Sequence, residues 1–120
     1  MTKSIYAEKE QSDGVRVLVS RYYPRGIKRD RFDRWVRNAS PEIPLLKQYK
    51  SGAIDWAEFT KRYKAQMRTS PESKNAIQDL AGLVQDRKTV TLLCYEKEGE
   101  NCHRNILKQL VESALKRSEK

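Results

Sequence analysis

Both cysteines and the single histidine of this 120-residue chain fall in one short stretch, at Cys94, Cys102 and His103. A strand-like run, Thr89-Val90-Thr91-Leu92-Leu93-Cys94, leads into the polar segment Tyr95-Glu96-Lys97-Glu98-Gly99-Glu100-Asn101, and Cys102-His103-Arg104 then opens a long helical pattern. Junctions between a strand end and a helix start carry the chemistry of open α/β folds, because the first N–H groups of the helix are unpaired and partly positive. Several chemistries are open to these residue types. Cys94 or Cys102 could serve as a nucleophile or redox thiol, with the thiolate stabilised by the helix start and by His103 and Arg104. Glu96 and His103 could work as an acid–base pair. Arg104 and the helix start could cradle a phosphate without reacting. A metal held by Cys94, Cys102 and His103, with Glu96, is the weakest of these, since one cysteine, seven residues and an adjacent Cys-His is not a zinc spacing; no metal or other cofactor is expected. The plainest alternative makes Cys94 a small buried hydrophobe and His103 a hydrogen-bonded core histidine.

The elements around this junction decide which way its side chains face. In the last helix Ile106, Leu107, Leu110, Val111, Ala114 and Leu115 form one apolar stripe, and steps of about 100° per residue place His103 near the centre of that stripe. Arg104 falls on its flank and Cys102 on the far side, with Asn101 a suitable N-cap. Cys94, in line with Val90 and Leu92, is expected to point into the core, where an apolar setting disfavours a thiolate. Cys102 is therefore expected to be the more reactive thiol.

Upstream, the pattern alternates elements. Ile5 to Ala7 reads as a short strand and Val15 to Tyr22 as a strand with Val15, Val17 and Val19 on one face, broken by Tyr22-Tyr23-Pro24-Arg25-Gly26. Arg31 to Arg37 reads as a short helix burying Phe32, Trp35 and Val36, and Pro41 and Pro44 bound a connection. Asp55-Trp56-Ala57-Glu58 has the form of a capping box, followed by the stripe Trp56, Phe59, Tyr63 and Met67, which is a core face rather than a ligand cage. Pro71 opens another helix carrying Ile77, Leu80, Ala81 and Val84, which leads into the strand ending at Cys94.

Charge adds a second signal. The chain has 25 Lys and Arg against 16 Asp and Glu, a formal net charge of +9, and such a field attracts polyanions. Between Arg21 and Arg37, the side chains of Arg21, Arg25, Lys28, Arg29, Arg31, Arg34 and Arg37 are opposed only by Asp30 and Asp33. This is either a solvated basic surface or the contact face for an anion. No apolar run approaches the roughly 20 residues that cross a bilayer, and no signal-peptide core follows Met1, so the chain is expected to be soluble and cytoplasmic, with no membrane partner and with reduced thiols.

Taken together, Val17-Leu18-Val19-Ser20-Arg21-Tyr22-Tyr23-Pro24-Arg25-Gly26 with Lys28, then Trp35, Ala39-Ser40-Pro41, Trp56-Ala57-Glu58-Phe59 with Arg62-Tyr63, and Thr91-Leu92-Leu93-Cys94-Tyr95-Glu96 resemble the short branch of domain-of-unknown-function family 488 (DUF488). Two differences stand out. Ser20 occupies the place where short members carry Asp, and Cys102-His103-Arg104 resembles the longer branch, whose members continue into another strand. The resemblance implies an α/β domain with a small central sheet, and a convergence of Arg21, Arg25 and the Cys94 to Arg104 segment at one edge. It implies no particular activity.

The expectation is thus a single α/β domain over residues 1–120, with a central sheet of about three strands flanked by helices and a basic tail, residues 116–120, that frays. Its partner is an anionic ligand: phosphate, nucleotide or nucleic acid. In the first reading Arg21, Arg25 and Arg104 hold the anion at the strand carboxyl ends while Cys94, Glu96, Cys102 and His103 are candidates for chemistry on a phosphate-bearing or nucleotide-like substrate. In the second, Arg25, Lys28, Arg29, Arg31, Arg34 and Arg37 grip nucleic acid without catalysis.

Overall fold

Val90-Thr91-Leu92-Leu93-Cys94 is buried at every position, as a strand covered on both faces must be. In the computed structural model, which describes residues 2–87, 89–94 and 103–118, it is β4 (Val90–Cys94), an interior strand of a four-stranded sheet. Its neighbours are β1 (Thr2–Ser4) on one side and β2 (Val15–Leu18) on the other, and β3 (Arg34–Trp35) pairs with β2 at the far edge. Every pairing is parallel, with Thr2 opposite Leu92, Val17 opposite Leu92, and Leu18 opposite both Leu93 and Trp35. The fold is α/β, as expected, with one strand more than anticipated.

Among the described residues four α-helices complete it: α1 (Ile43–Lys50), α2 (Trp56–Thr69), α3 (Pro71–Arg87) and α4 (His103–Ser118). Their apolar stripes pack on one face of the sheet, over Val17, Val19, Val90 and Leu92. Asp55 caps α2, its side chain accepting the N–H of Glu58 at 2.8 Å, and Phe59, Tyr63 and Met67 point into the core as their spacing predicts. His103 is buried with the α4 stripe. No helix among the described residues is long and apolar enough to cross a membrane.

The opposite face is covered differently. Ile5, Leu18 and Leu93 lie under Ile27, Phe32 and Trp35, which belong to an irregular segment. Here the expected helix over Arg31 to Arg37 is not formed. Residues 29–31 make a single 3₁₀ turn, Arg34–Trp35 pair as β3, and residues 37–39 make a second 3₁₀ turn. Two other boundaries move. The first strand is Thr2–Ser4 rather than Ile5 to Ala7, and β2 ends at Leu18, although the N–H of Val19 still donates to the Leu93 carbonyl at 2.9 Å. The proline-bounded connection contains a full helix, α1, with Pro44 in the first turn, where no N–H is needed.

At the amino ends of the strands, this same face carries a buried ionic cluster. Arg16 and Asp13 are both almost completely enclosed, and the Arg16 Nη1 donates to Asp13 Oδ2. Lys3 Nζ reaches Asp13 Oδ1 at 2.7 Å, the Glu10 N–H donates to Oδ2 at 3.0 Å, and Thr91 Oγ1 donates to the Asp13 carbonyl at 2.7 Å. Arg16 Nε donates to the Arg31 carbonyl at 2.7 Å. The Arg16 backbone N–H donates to Asp33 Oδ2 at 2.8 Å, and the Asp33 N–H returns a bond to the Arg16 carbonyl at 2.7 Å. Burial alone would raise the Asp13 carboxyl, but hydrogen bonds from Lys3, the Glu10 N–H and Arg16 outweigh it, so its pKa lies below the ordinary 3.8.

A carboxylate depressed on folding stabilises the native state above its unfolded pKa, and that stability is lost as pH falls through the folded value. Asp13→Asn is expected to destabilise the domain at pH 7 by about 3–5 kcal/mol, the usual loss when one partner of a buried ion pair is removed. Urea unfolding should show the gap between wild type and variant narrowing as the pH drops below about 4. A gap that stays constant as the pH falls well below that value would mean that Asp13 does not carry the linkage.

Candidate functional site

The carboxyl ends of β2 and β4 lie side by side, and the first turn of α4 packs against them. His103, only 6% exposed, places Nε2 against the Val19 carbonyl and Nδ1 3.7 Å from Cys94 Sγ. A carbonyl can only accept, so Nε2 carries the proton and donates to Val19. Nδ1 therefore turns its lone pair toward the thiol, and the Cys94 S–H donates to it. Cys94 itself is 2% exposed, on the helix-covered face with Val90 and Leu92 as its spacing predicts. Tyr63 meets the imidazole edge-on, with ring centroids 5.6 Å apart, and its hydroxyl donates to the Ala39 carbonyl. The histidine is thus held in one tautomer and one orientation. The thiol–imidazole pair that results can pass a proton from sulfur to Nδ1.

His103 also borders a cleft of about 550 Å³. Ser20, Arg21 and Tyr22 form one wall, where the chain leaves β2, and Ile43, Leu46, Lys47, Lys50 and Ser51 form the other, along α1. Ser40 completes it. Arg21 is held at the wall by its Nη2, which donates to the Ser40 carbonyl at 3.0 Å, and by its Nε, which donates to the Pro41 carbonyl at 3.3 Å. Gln66 braces the same loop: its Nε2 donates to the Ser40 carbonyl at 3.0 Å and its Oε1 accepts the Glu42 N–H at 2.9 Å. Ser20 is buried, with Oγ donating to the Tyr22 carbonyl at 2.7 Å and its own carbonyl accepting from Trp35 Nε1 at 2.8 Å. Among the described residues that line the cleft, Arg21, Lys47 and Lys50 bring three positive charges and no carboxylate is present. None of the three makes an ion pair among the described residues.

The residues singled out in the sequence are distributed unevenly about this cleft. Arg21 and His103 line it, and Cys94 lies directly behind His103. Arg25 is exposed on the turn after β2, where its carbonyl accepts from the Tyr6 hydroxyl at 3.0 Å, and Arg104 is buried in the first turn of α4; neither is among the described lining residues. Glu96 and Cys102 lie outside the described residues. Lys47 and Lys50 were missed because the segment between Pro41 and Asp55 reads as a connection. Ile43, Leu46, Lys47 and Lys50 follow the i, i+3, i+4, i+7 spacing of one helix face, and that was the signal available.

The basic segment is partly engaged in structure. Arg31 Nη2 donates to the Ala7 carbonyl at 2.9 Å, and the Arg37 guanidinium stacks over the Trp35 ring at 4.0 Å. Arg25, Lys28, Arg29, Arg34 and Arg37 are exposed, whereas Phe32 and Trp35 pack into the second core.

Residues 1–115 match a family described as the active DUF488-N3 subclade. The chain is 31% identical over 113 residues to "Uncharacterized protein YeaO" of Escherichia coli (strain K12), a match that covers 92% of this chain and 95% of that protein. It is 29% identical over 109 residues to "Uncharacterized protein Rv3073c" of Mycobacterium tuberculosis (strain ATCC 25618 / H37Rv) and to "Uncharacterized protein Mb3100c" of Mycobacterium bovis, with 89% of this chain and 88% of each relative covered. No solved structure matches significantly.

The position of Cys94 behind His103 predicts its reactivity. With iodoacetamide at neutral pH, Cys94 in the folded protein is expected to label more slowly than Cys102, and millimolar phosphate filling the cleft should slow Cys94 further. Peptide mass spectrometry reads both rates. Labelling of Cys94 that is unaffected by the anion would mean that the thiol is not reached through this cleft.

Proposed function

The chain belongs to the DUF488 family, and on that footing we propose that it is an enzyme acting on a small phosphate-bearing or nucleotide-like anion bound in the cleft between β2 and α1. The observation that carries this reading is the convergence of Arg21, Lys47 and Lys50, with no carboxylate among the described lining residues, beside a thiol–imidazole pair. Like charges gathered without counter-charges repel one another, and an incoming anion removes that cost. Arg21, fixed by the Ser40 and Pro41 carbonyls, keeps Nη1 for the ligand and offers a planar donor suited to phosphate oxygens. Lys47 and Lys50 add mobile charge from the last turn of α1, where the helix dipole favours cations.

In this reading Cys94 Sγ is the nucleophile and His103 Nδ1 the base. The thiol proton passes to Nδ1, imidazolium forms while still donating Nε2–H to Val19, and the thiolate attacks the phosphorus of the bound ester. The P–O bond to the alcohol breaks, and the departing oxygen takes the proton from Nδ1. Water, giving its proton to Nδ1, then cleaves the S–P bond to release phosphate while the sulfur recovers its proton from the imidazolium. Arg21 and the lysines stabilise charge that builds on the substrate oxygens.

Phosphate-ester turnover over a compound panel, with binding measured by calorimetry, tests the assignment. Lys47→Gln/Lys50→Gln is expected to weaken phosphate binding by about tenfold, and Cys94→Ala to leave binding within about twofold while lowering turnover by 10² or more, roughly the contribution of a positioned nucleophile and base. If Cys94→Ala turns over as well as wild type, the pair is structural.

A second reading has its own observation: Arg25, Lys28, Arg29, Arg34 and Arg37 are all exposed. Nucleic-acid binding through these side chains should fall log-linearly as salt rises. Fluorescence anisotropy with a labelled oligonucleotide checks it, and no binding at about 50 mM salt would leave the segment as a solvated surface.

A further inference from the structure

We infer that the natural ligand of this cleft is a two-part molecule, an anionic group joined to a flat aromatic or similarly apolar body, with α1 reading both parts. The inference rests on the reading of the cleft as an anion site and adds to it the class of the rest of the ligand. One face of α1 supplies Ile43 and Leu46 toward the helix start and Lys47 and Lys50 toward its end, so the wall changes from apolar to cationic along the helix. Across from it, the chain leaving β2 repeats the pairing, with Arg21 beside Tyr22.

Tyr22 is 52% exposed and Ile43 37%, the most open of the large apolar side chains on this cleft. Neither is needed to close the sheet's two cores, since neither belongs to the packed clusters. A partly open aromatic ring and a partly open β-branched side chain lining one concave site offer apolar surface to a flat group. A bare inorganic anion would satisfy Arg21, Lys47 and Lys50 and leave Tyr22, Ile43 and Leu46 wet. The volume of about 550 Å³ lies within the range of sites that enclose one organic ligand rather than a single ion.

Isothermal titration of the full chain with inorganic phosphate, phenyl phosphate and phenol separates the parts. Phenyl phosphate is expected to bind about tenfold more tightly than phosphate, the scale of one buried aromatic contact, and phenol far more weakly than either. Tyr22→Ala/Ile43→Ser, two exposed positions, should remove most of the phenyl advantage and leave phosphate affinity unchanged. Lys47→Gln/Lys50→Gln should weaken both phosphates together. Equal affinity for phosphate and phenyl phosphate would overturn the two-part ligand and leave the anion site standing. Failure of both to bind would overturn the anion site itself. Phenol binding as tightly as phenyl phosphate would overturn both.

Discussion

A charged side chain with 1% exposure sets the terms for this domain: Arg16 lies inside the sheet's second face, and the neighbours that meet its Nε and Nη1 offset the cost of burying it. Asp13 supplies the counter-charge and the Arg31 carbonyl a further acceptor, while Asp33 bonds the Arg16 backbone in both directions. These contacts fasten an irregular stretch of chain across Leu18, Leu93 and Ile5, a face that no helix covers. The wall of the cleft that carries Arg21 and Tyr22 lies at the start of that stretch. An ionic cluster at the amino ends of the strands thus fixes the path of a segment that borders the cleft at the carboxyl ends.

At those carboxyl ends the stabilising logic reverses. Arg21, Lys47 and Lys50 line one concave surface with no carboxylate among the described lining residues, so their mutual repulsion works against folding rather than for it. The histidine there is constrained by its surroundings rather than by its own chemistry: a strand carbonyl fixes one nitrogen, a thiol faces the other, and the Tyr63 ring closes the side. The helices provide this rigidity through a single packed face, and the cleft opens where α1 stands off from β2.

How much of this could be seen in the sequence depended on which side of the sheet a residue serves. Helix-side elements were legible because their apolar stripes face one continuous core. The α2 stripe and the inward direction of His103 follow from period, and the Asp55 cap of α2 and the Pro71 start of α3 from residue types suited to helix starts. The other side misled for a physical reason. Phe32, Trp35 and Val36 have helical spacing, yet the parallel bridges of Arg34 and Trp35 to β2, together with the Arg16–Asp33 exchange, outweigh that local preference. The first strand, Thr2-Lys3-Ser4, carries no β-branched apolar run because it is an edge strand whose role is to pair with β4. Of the cleft, Arg21 and His103 were legible as strand-end and helix-start residues. Lys47 and Lys50 were hidden by prolines that look like breaks but sit at a helix start, where they are harmless.

The strand order also governs when the site can come into being. Since β4 lies between β1 and β2, Thr2 must wait for Leu92, and Val15 for Val90, before either can complete its hydrogen-bond ladder. Such distant pairings are slow to close, because the loop entropy is lost before the contacts return it. On the ribosome, β2 can pair only with β3 until β4 emerges, so one side of its ladder and the whole of β1's stay open until nearly the whole domain has been made. Cys94 and His103, each on one of the last two elements, meet only in the final stage of assembly. A partly made chain therefore contains Arg21, Lys47 and Lys50 without the contact between Cys94 and His103, which forms only when the sheet is complete.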